Sequence, residues 1–272
     1  MIELDEETLK KVQKIELELL LEFDRICRKN NIKYSITGGT LLGAVRHGGF
    51  IPWDDDADVS MLRVEYEKFV KVCDTELDKS RFYFQDIDRT NGYRWGYAKL
   101  RRKDSVFQRE NQDHLSFEQG IFMDIFPRDG VPDGWFKERW HCIKCFIVRK
   151  VLWSEVGKYY EKNFLKRYIY RILNRITKNT YKELYHYLVK KSEDTNTKRV
   201  RALTFPIPYK GKGYNREWYE DYHDIEFEGH MLMVEKGYKD WLKMEFHNYM
   251  ELPPVEKRKC HPVEIIKFPE GI

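Results

Sequence analysis

The chain has 272 residues and a mass of 33.1 kDa, enough for one large domain or two small ones around a sizeable core. Hydrophobic residues make up 42% and charged residues 35%, the balance of a folded protein with a wet surface and not of a fibrous or disordered one. A formal charge of +4 admits anionic substrates or membrane surfaces but, with no reading-helix motif, gives no support to nucleic-acid binding.

Asp5–Asn30 is expected to be a helix, because Val12, Ile15, Leu19, Phe23 and Ile26 recur at helical spacing and acidic residues occupy the first turn. The run MIELDEETLKK before and within it is polar, without the apolar stretch of a signal peptide, and no segment approaches the ~18 apolar residues of a membrane span. Five scattered cysteines, at positions 27, 73, 142, 145 and 260, fit a reduced protein without disulfides. The expected location is therefore cytoplasmic, at most peripheral at the inner face of the cell membrane.

The most informative stretch is Tyr34–Met61, YSITGGTLLGAVRHGGFIPWDDDADVSM. Tyr34–Thr37 reads as a strand, Gly38-Gly39 as a turn and Leu41–Val45 as a short helical turn. Asp54, Asp56 and Asp58 then lead into apolar Val59–Leu62. On a strand these three carboxylates project from one face at roughly 6–7 Å intervals. Like charges so placed need a cation between them, or one must hold a proton. An EF-hand loop is excluded, since its sixth position requires glycine and here carries Val59. Mg²⁺ held by one or two carboxylates together with substrate phosphates suits the pattern better. The double glycine fits the same site, because backbone without Cβ atoms can approach a phosphate closely.

Arg63–Leu77 is predicted to be an amphipathic helix, Arg81–Gln85 and Tyr93–Arg101 strands. Gly120–Pro127, GIFMDIFP, reads as an apolar strand with Asp124 alone on the face of Phe122 and Phe126. A lone ionised carboxylate in such a run is costly to bury unless paired or metal-bound. It is expected to lie beside the Asp56–Asp58 strand as a third carboxylate. Trp135–Val156, Tyr159–Thr177 and Tyr181–Ser192 read as helices rich in Lys, Arg, Tyr and Trp. The first mixes aromatics and cations in WHCIKCFIVRKVLW, a composition that suits a helix packed on the catalytic part or one lying on a membrane. His141, Cys142 and Cys145 lack a fourth ligand for zinc. KGKG at 210–213 is a basic turn, Ile225–Val234 a hairpin and Lys236–Met250 a helix. The fold class expected is α+β, a mixed sheet flanked by helices over 1–130 and a mainly helical region over 131–272.

GGTLLGAVRHGGFIPWDDDAD resembles the signature of the LicD family, bacterial phosphocholine transferases related to fukutin-type proteins within the nucleotidyltransferase-fold superfamily. The likeness continues at KLRRKDS (Lys99–Ser105), FMDIFP (Phe122–Pro127), FEG (Phe227–Gly229) and MELPPVEKRKCHP (Met250–Pro262). The chain departs from the family pattern in having Phe246-His247-Asn248-Tyr249-Met250 for Tyr-Gly-Asp-Tyr-Met, and no prolines within Met231–Glu235. The resemblance implies transfer of phosphocholine from CDP-choline to a sugar hydroxyl of a teichoic acid, lipopolysaccharide or similar glycan, with release of CMP. It implies Mg²⁺, or Mn²⁺, on Asp56, Asp58 and Asp124. Gly38, Gly39 and Thr40 are expected to line the phosphates, and Arg46, His47, Lys99 and Arg101 to meet their charge. Choline would call for an aromatic cage drawn from Trp53, Trp95, Tyr97 and Trp153. The same triad would also serve another CDP-alcohol donor such as CDP-ribitol, or a nucleotidyltransferase using CTP.

Overall fold

In the computed structural model, which describes residues 4–193, 196–206 and 213–271, the chain opens with α1 (Glu6–Lys29). Asp5 caps it by accepting the Thr8 N–H at 2.7 Å, and Glu6, Glu7, Arg28 and Lys29 complement the helix dipole at its two ends. Its buried stripe, from Leu9 through Val12, Ile15, Leu19 and Phe23 to Ile26, is the one the spacing predicts. The stripe lies across the central sheet.

That sheet is built from β1 (Ser35–Ile36), β2 (Ala57–Leu62), β3 (Phe82–Gln85), β4 (Ala98–Arg102) and β6 (Phe122–Val131) in the order β1-β2-β6-β4-β3. Between them in sequence lie α2 (Gly38–His47), α3 (Arg63–Glu76) and β5 (Val106–Arg109). β2 and β6 run parallel; β1, β4 and β3 join antiparallel. All ten residues of β6 are buried, as expected of a central strand covered on both faces.

Two local expectations change. Gly38 and Gly39 are not a turn between elements but the first residues of α2, capped by Thr37 in extended backbone. The strand predicted from Tyr93 begins only at Ala98. Gly96 meets the Tyr185 ring and Thr204, and its carbonyl accepts the Tyr185 hydroxyl at 3.0 Å, which draws 93–97 off the sheet to line a cavity. Residues 210–212 of the KGKG turn lie outside the described residues.

After β6 come α4 (Trp135–Tyr160), α5 (Phe164–Thr177) and α6 (Tyr181–Lys190). α4 and α6 pack a second apolar cluster, with Val148, Val151, Leu152, Tyr185 and Leu188, onto Ile87 and Tyr93. The chain then returns to the first layer. β7 (Arg199–Arg201) extends β6 and β8 (Tyr214–Asn215) pairs with β7. The hairpin β9 (Tyr222–Phe227) and β10 (His230–Glu235), then α7 (Tyr238–Phe246), add Phe227, Leu232, Val234, Trp241 and Leu242 to the core of α1 and the sheet. β11 (Val263–Lys267) closes on β5. One core thus takes side chains from both sides of residue 130.

Glu235, at the end of β10, is fully buried, and neither carboxylate oxygen has a hydrogen-bond partner among the described residues. Burial raises its pKa to about 8, with Arg128 only partly opposing. A raised acid favours the folded state fully below its unfolded pKa and loses that contribution as pH rises through the folded value. Wild-type stability in urea titrations should therefore fall between about pH 4.5 and pH 8. Glu235→Gln should lessen that slope, and a slope unchanged in the variant would assign the titration to other acids of raised pKa such as Glu16 or Asp58.

Candidate active site

The parallel register of β2 and β6 makes Asp58 and Asp124 direct partners. On the other side of β6, β4 places Lys99 opposite Asp124. The Lys99 ammonium donates to Asp124 Oδ1 and stands 3.4 Å from the centre of the Phe122 ring. Burial lowers the Lys99 pKa to about 8 against the pull of Asp124, with Arg101 and Arg109 adding repulsion. Asp124 has its own pKa raised, first by burial, with Lys99 opposing.

The acidic loop is folded onto the N-terminus of α2. Thr37 N–H donates to the Asp58 carbonyl at 3.0 Å, and Asp58 N–H donates to the Thr40 hydroxyl at 2.8 Å. The two glycines allow the carboxylates to reach the helix end. A Cβ on Gly38 would lie 2.5 Å from Asp58 Oδ2, and one on Gly39 would lie 2.0 Å from Asp54 Oδ2. Gly38 also holds φ +61°. Burial raises the pKa of Asp54 and Asp58 well above the carboxylate range; Asp56 and Asp55 reinforce the shift at Asp54, and Asp56 and Asp124 at Asp58. Asp54 also shares a hydrogen bond with Asp56. Burial and like charge thus act together on these carboxylates.

The compensating positive groups come from far along the chain. Arg109 on β5 places Nη1 3.5 Å from Asp55 and Nη2 3.5 Å from Asp56. His261, just before β11, donates its backbone N–H to Asp55 Oδ1 at 2.9 Å and sets its Nδ1 2.9 Å from the same oxygen. Burial alone would raise the Asp55 pKa, but the His261 hydrogen bonds and Arg109 lower it. From α1, Gln13 donates to the carbonyls of Ile51 and Asp54 at 3.2 and 2.9 Å, and Glu16 is buried with its pKa raised by burial and by Asp54–Asp56. Arg109, His261, Gln13 and Glu16 carry no motif; only the pairing of β5 with β11 and the docking of α1 bring them here.

The structure thus brings Asp56, Asp58, Asp124, Lys99, Gly38, Gly39 and Thr40 into one neighbourhood. Thr40 is occupied in bracing Asp58. Arg101 is 2% exposed and spends its donors on Gln85 Oε1 at 2.8 Å and the Gly120 carbonyl at 2.6 Å, beneath the Phe122 ring. Arg46 donates to the carbonyls of Tyr249 and Glu251 at 3.0 and 3.1 Å, holding the segment after α7. His47 is exposed, 6.2 Å from Trp53, whose ring in turn carries Arg258 at 5.0 Å. The FEG stretch explains itself: Glu228 accepts Phe50 N–H at 2.9 Å and donates its own N–H to the Gly48 carbonyl, fixing the loop after α2.

A family model described as LicD/FKTN/FKRP, nucleotidyltransferase domain, matches residues 31–147. The lipopolysaccharide cholinephosphotransferase LicD of Haemophilus influenzae is 31% identical over 280 residues, spanning 94% of this chain and 97% of its own. The chain belongs to the LicD family. An uncharacterised protein of Rickettsia prowazekii is 30% identical over 119 residues, 44% of this chain and 41% of its own. The LicD-family domain encloses Asp54–Asp58, Lys99, Arg109 and Asp124, whereas His261 reaches the same carboxylates from outside it.

Of the four aromatics considered as a cage, Trp95, Tyr97 and Trp153 line one cavity of about 350 Å³, and Trp53 lies elsewhere. Arg94, Arg149 and Lys150 line the same cavity and would repel a quaternary ammonium. A smaller cavity of about 130 Å³ touches Asp58 and Gly38 directly. Its walls include Phe126, Phe205, Tyr214, Trp241, Phe246, Glu245 and Arg128, whose guanidinium lies 4.7 Å from the centre of the Tyr214 ring. Against that one cation stand Asp58 and Glu245, whereas the larger cavity is lined by three cations and no acid; aromatic faces with an anion suit a quaternary ammonium.

Gly38→Ala is expected to destabilise the fold by about 1–3 kcal/mol, from the left-handed backbone and the close contact with Asp58. Denaturant unfolding within about 0.5 kcal/mol of wild type would mean that Asp58 retreats without cost.

Proposed function

We propose that this chain moves phosphocholine from CDP-choline to a hydroxyl of a cell-surface glycan, such as a lipopolysaccharide or teichoic acid precursor, with release of CMP. The observation that carries the reading is the Asp58–Asp124–Lys99 register, found in a chain that matches a lipopolysaccharide cholinephosphotransferase over nearly its whole length. The acceptor hydroxyl oxygen forms a bond to the phosphocholine phosphorus while the bond from that phosphorus to the bridging oxygen breaks. CMP leaves with the bridging oxygen. The hydroxyl proton goes to Asp124, whose carboxylate basicity is raised by burial and opposed by Lys99.

The donor set fits a hard divalent cation: several carboxylates, three with raised pKa, converge with Lys99 beside Asp124 and Arg109 beside Asp56. Among the described residues no three acidic or metal-binding side chains are yet drawn together closely enough to hold one. Asp56, Asp58 and Asp124 would hold Mg²⁺ or Mn²⁺, which when bound offsets the charge of the diphosphate. Lys99 adds a second positive charge at the phosphates, and the open N-terminal N–H groups of α2 add a third source. The choline group lodges in the small aromatic cavity beside Asp58, with Glu245 as its counter-charge.

CMP release from CDP-choline should require Mg²⁺ or Mn²⁺ and fall by at least about a thousandfold in Asp58→Ala or Asp56→Ala. Turnover near wild type in either variant, or pyrophosphate release from CTP in place of CMP release, would refute the assignment. Phe246→Ala, at the exposed wall of the aromatic cavity, should raise KM for CDP-choline about three- to tenfold while leaving turnover of CDP-ribitol unchanged. Equal losses with both donors would place the choline group elsewhere.

A further inference from the structure

α5 buries only Tyr170 and Thr177. Phe164, Leu165, Tyr168, Ile169, Ile172 and Ile176 are between 44% and 71% exposed, and they recur at the spacing of a single helix face. On α4, Phe136, Trp140, Ile143 and Ile147 form a second exposed stripe at four-, three- and four-residue steps. Such faces normally turn inward; here the hairpin is fastened by other contacts. The Tyr170 ring lies against Gly157, and Asn174 donates to Ser154 Oγ and Glu155 Oε2 at 3.3 and 2.8 Å. The apolar faces are thus left uncovered on a rigid support, which in a folded protein marks a contact surface.

The charge of the hairpin says what the contact is. Between Trp135 and Thr177 there are eleven Lys or Arg against three Glu, a formal +8 in a chain whose total is +4. The rest of the chain therefore carries −4. A second copy would bring the same +8 to the interface and repel. Trp and Tyr with amphipathic rings, Lys and Arg with long apolar stems, and exposed Ile, Leu and Phe are together the composition of a helix lying in the headgroup region of an anionic bilayer. No helix among the described residues is long and apolar enough to cross a membrane, so the contact is lateral.

We propose that the α4–α5 hairpin docks on an anionic lipid surface, with the Phe164–Ile176 face of α5 at the acyl boundary and the flanking Lys and Arg on lipid phosphates. The docking sets the mouth of the larger cavity at the interface, because Arg149, Lys150 and Trp153 of α4 line it. Phe205 and Pro206 are shared between that cavity and the smaller one at Asp58. An acceptor carried on a lipid would therefore enter from the bilayer side.

The full chain should co-float with phosphatidylcholine vesicles containing phosphatidylglycerol, bind pure phosphatidylcholine far more weakly, and release at high salt. Ile169→Glu with Ile172→Glu should lower the partition coefficient by at least about tenfold. Lys166→Gln with Arg167→Gln, Arg171→Gln and Arg175→Gln should abolish the preference for anionic lipid. Five of the six residues are exposed and Arg167 is half-buried, while Arg171 Nε donates to the Lys158 carbonyl at 3.4 Å; an unchanged circular dichroism melt would verify that the fold survives. A wild-type chain that stays unbound at low salt, or a double variant that floats equally well, would overturn the proposal. So would a concentration-dependent dimer in light scattering that the same double variant dissolves, since the face would then cover itself.

Discussion

The structure turns on placing like charges side by side. Pairing β2 with β6 in parallel register sets Asp58, half-buried, next to the buried Asp124 in the central sheet. The surrounding elements answer that one constraint. β4 supplies Lys99, β5 supplies Arg109 and α2 points its N-terminus at the loop. Two glycines let the carboxylates come close to that helix end, and Arg101 beneath Phe122 keeps the sheet edge rigid by giving its donors to Gln85 and Gly120.

The α+β class, the order of the main helices and the approach of Asp58 and Asp124 were legible because each depends on short-range pattern: helical spacing in α1, alternation after Trp53, one acid in an apolar run. Lys99 was expected there from the family resemblance alone. Arg109 and His261 were not legible. Arg109 lies in a four-residue strand whose partner is more than 150 residues away, and no local periodicity announces such a pair. The surroundings of the aromatics were hidden for a related reason. Trp95, Tyr97 and Trp153 are conspicuous in sequence and do meet, yet only the fold shows that Arg94, Arg149 and Lys150 meet them too. Gly38 and Gly39 read as a turn because glycine usually is one; here their missing side chains make room for carboxylates while the backbone is already helical.

The chain separates its charges by region. The carboxylate cluster sits where α1, the sheet and the tail meet, and the excess of cations is gathered on the α4–α5 hairpin. The two cavities that share Phe205 and Pro206 link those regions without merging them.

The hydrogen bonds from His261 to Asp55 also give the site a place in time. A ribosome releases the acidic loop some two hundred residues before it releases the histidine that hydrogen-bonds to it, so over that interval Asp55 stands without this partner. β11 can zip onto β5 only once its own segment has emerged. Closure of the acidic loop is thereby timed by the synthesis of residues 261–267, far downstream of the loop itself.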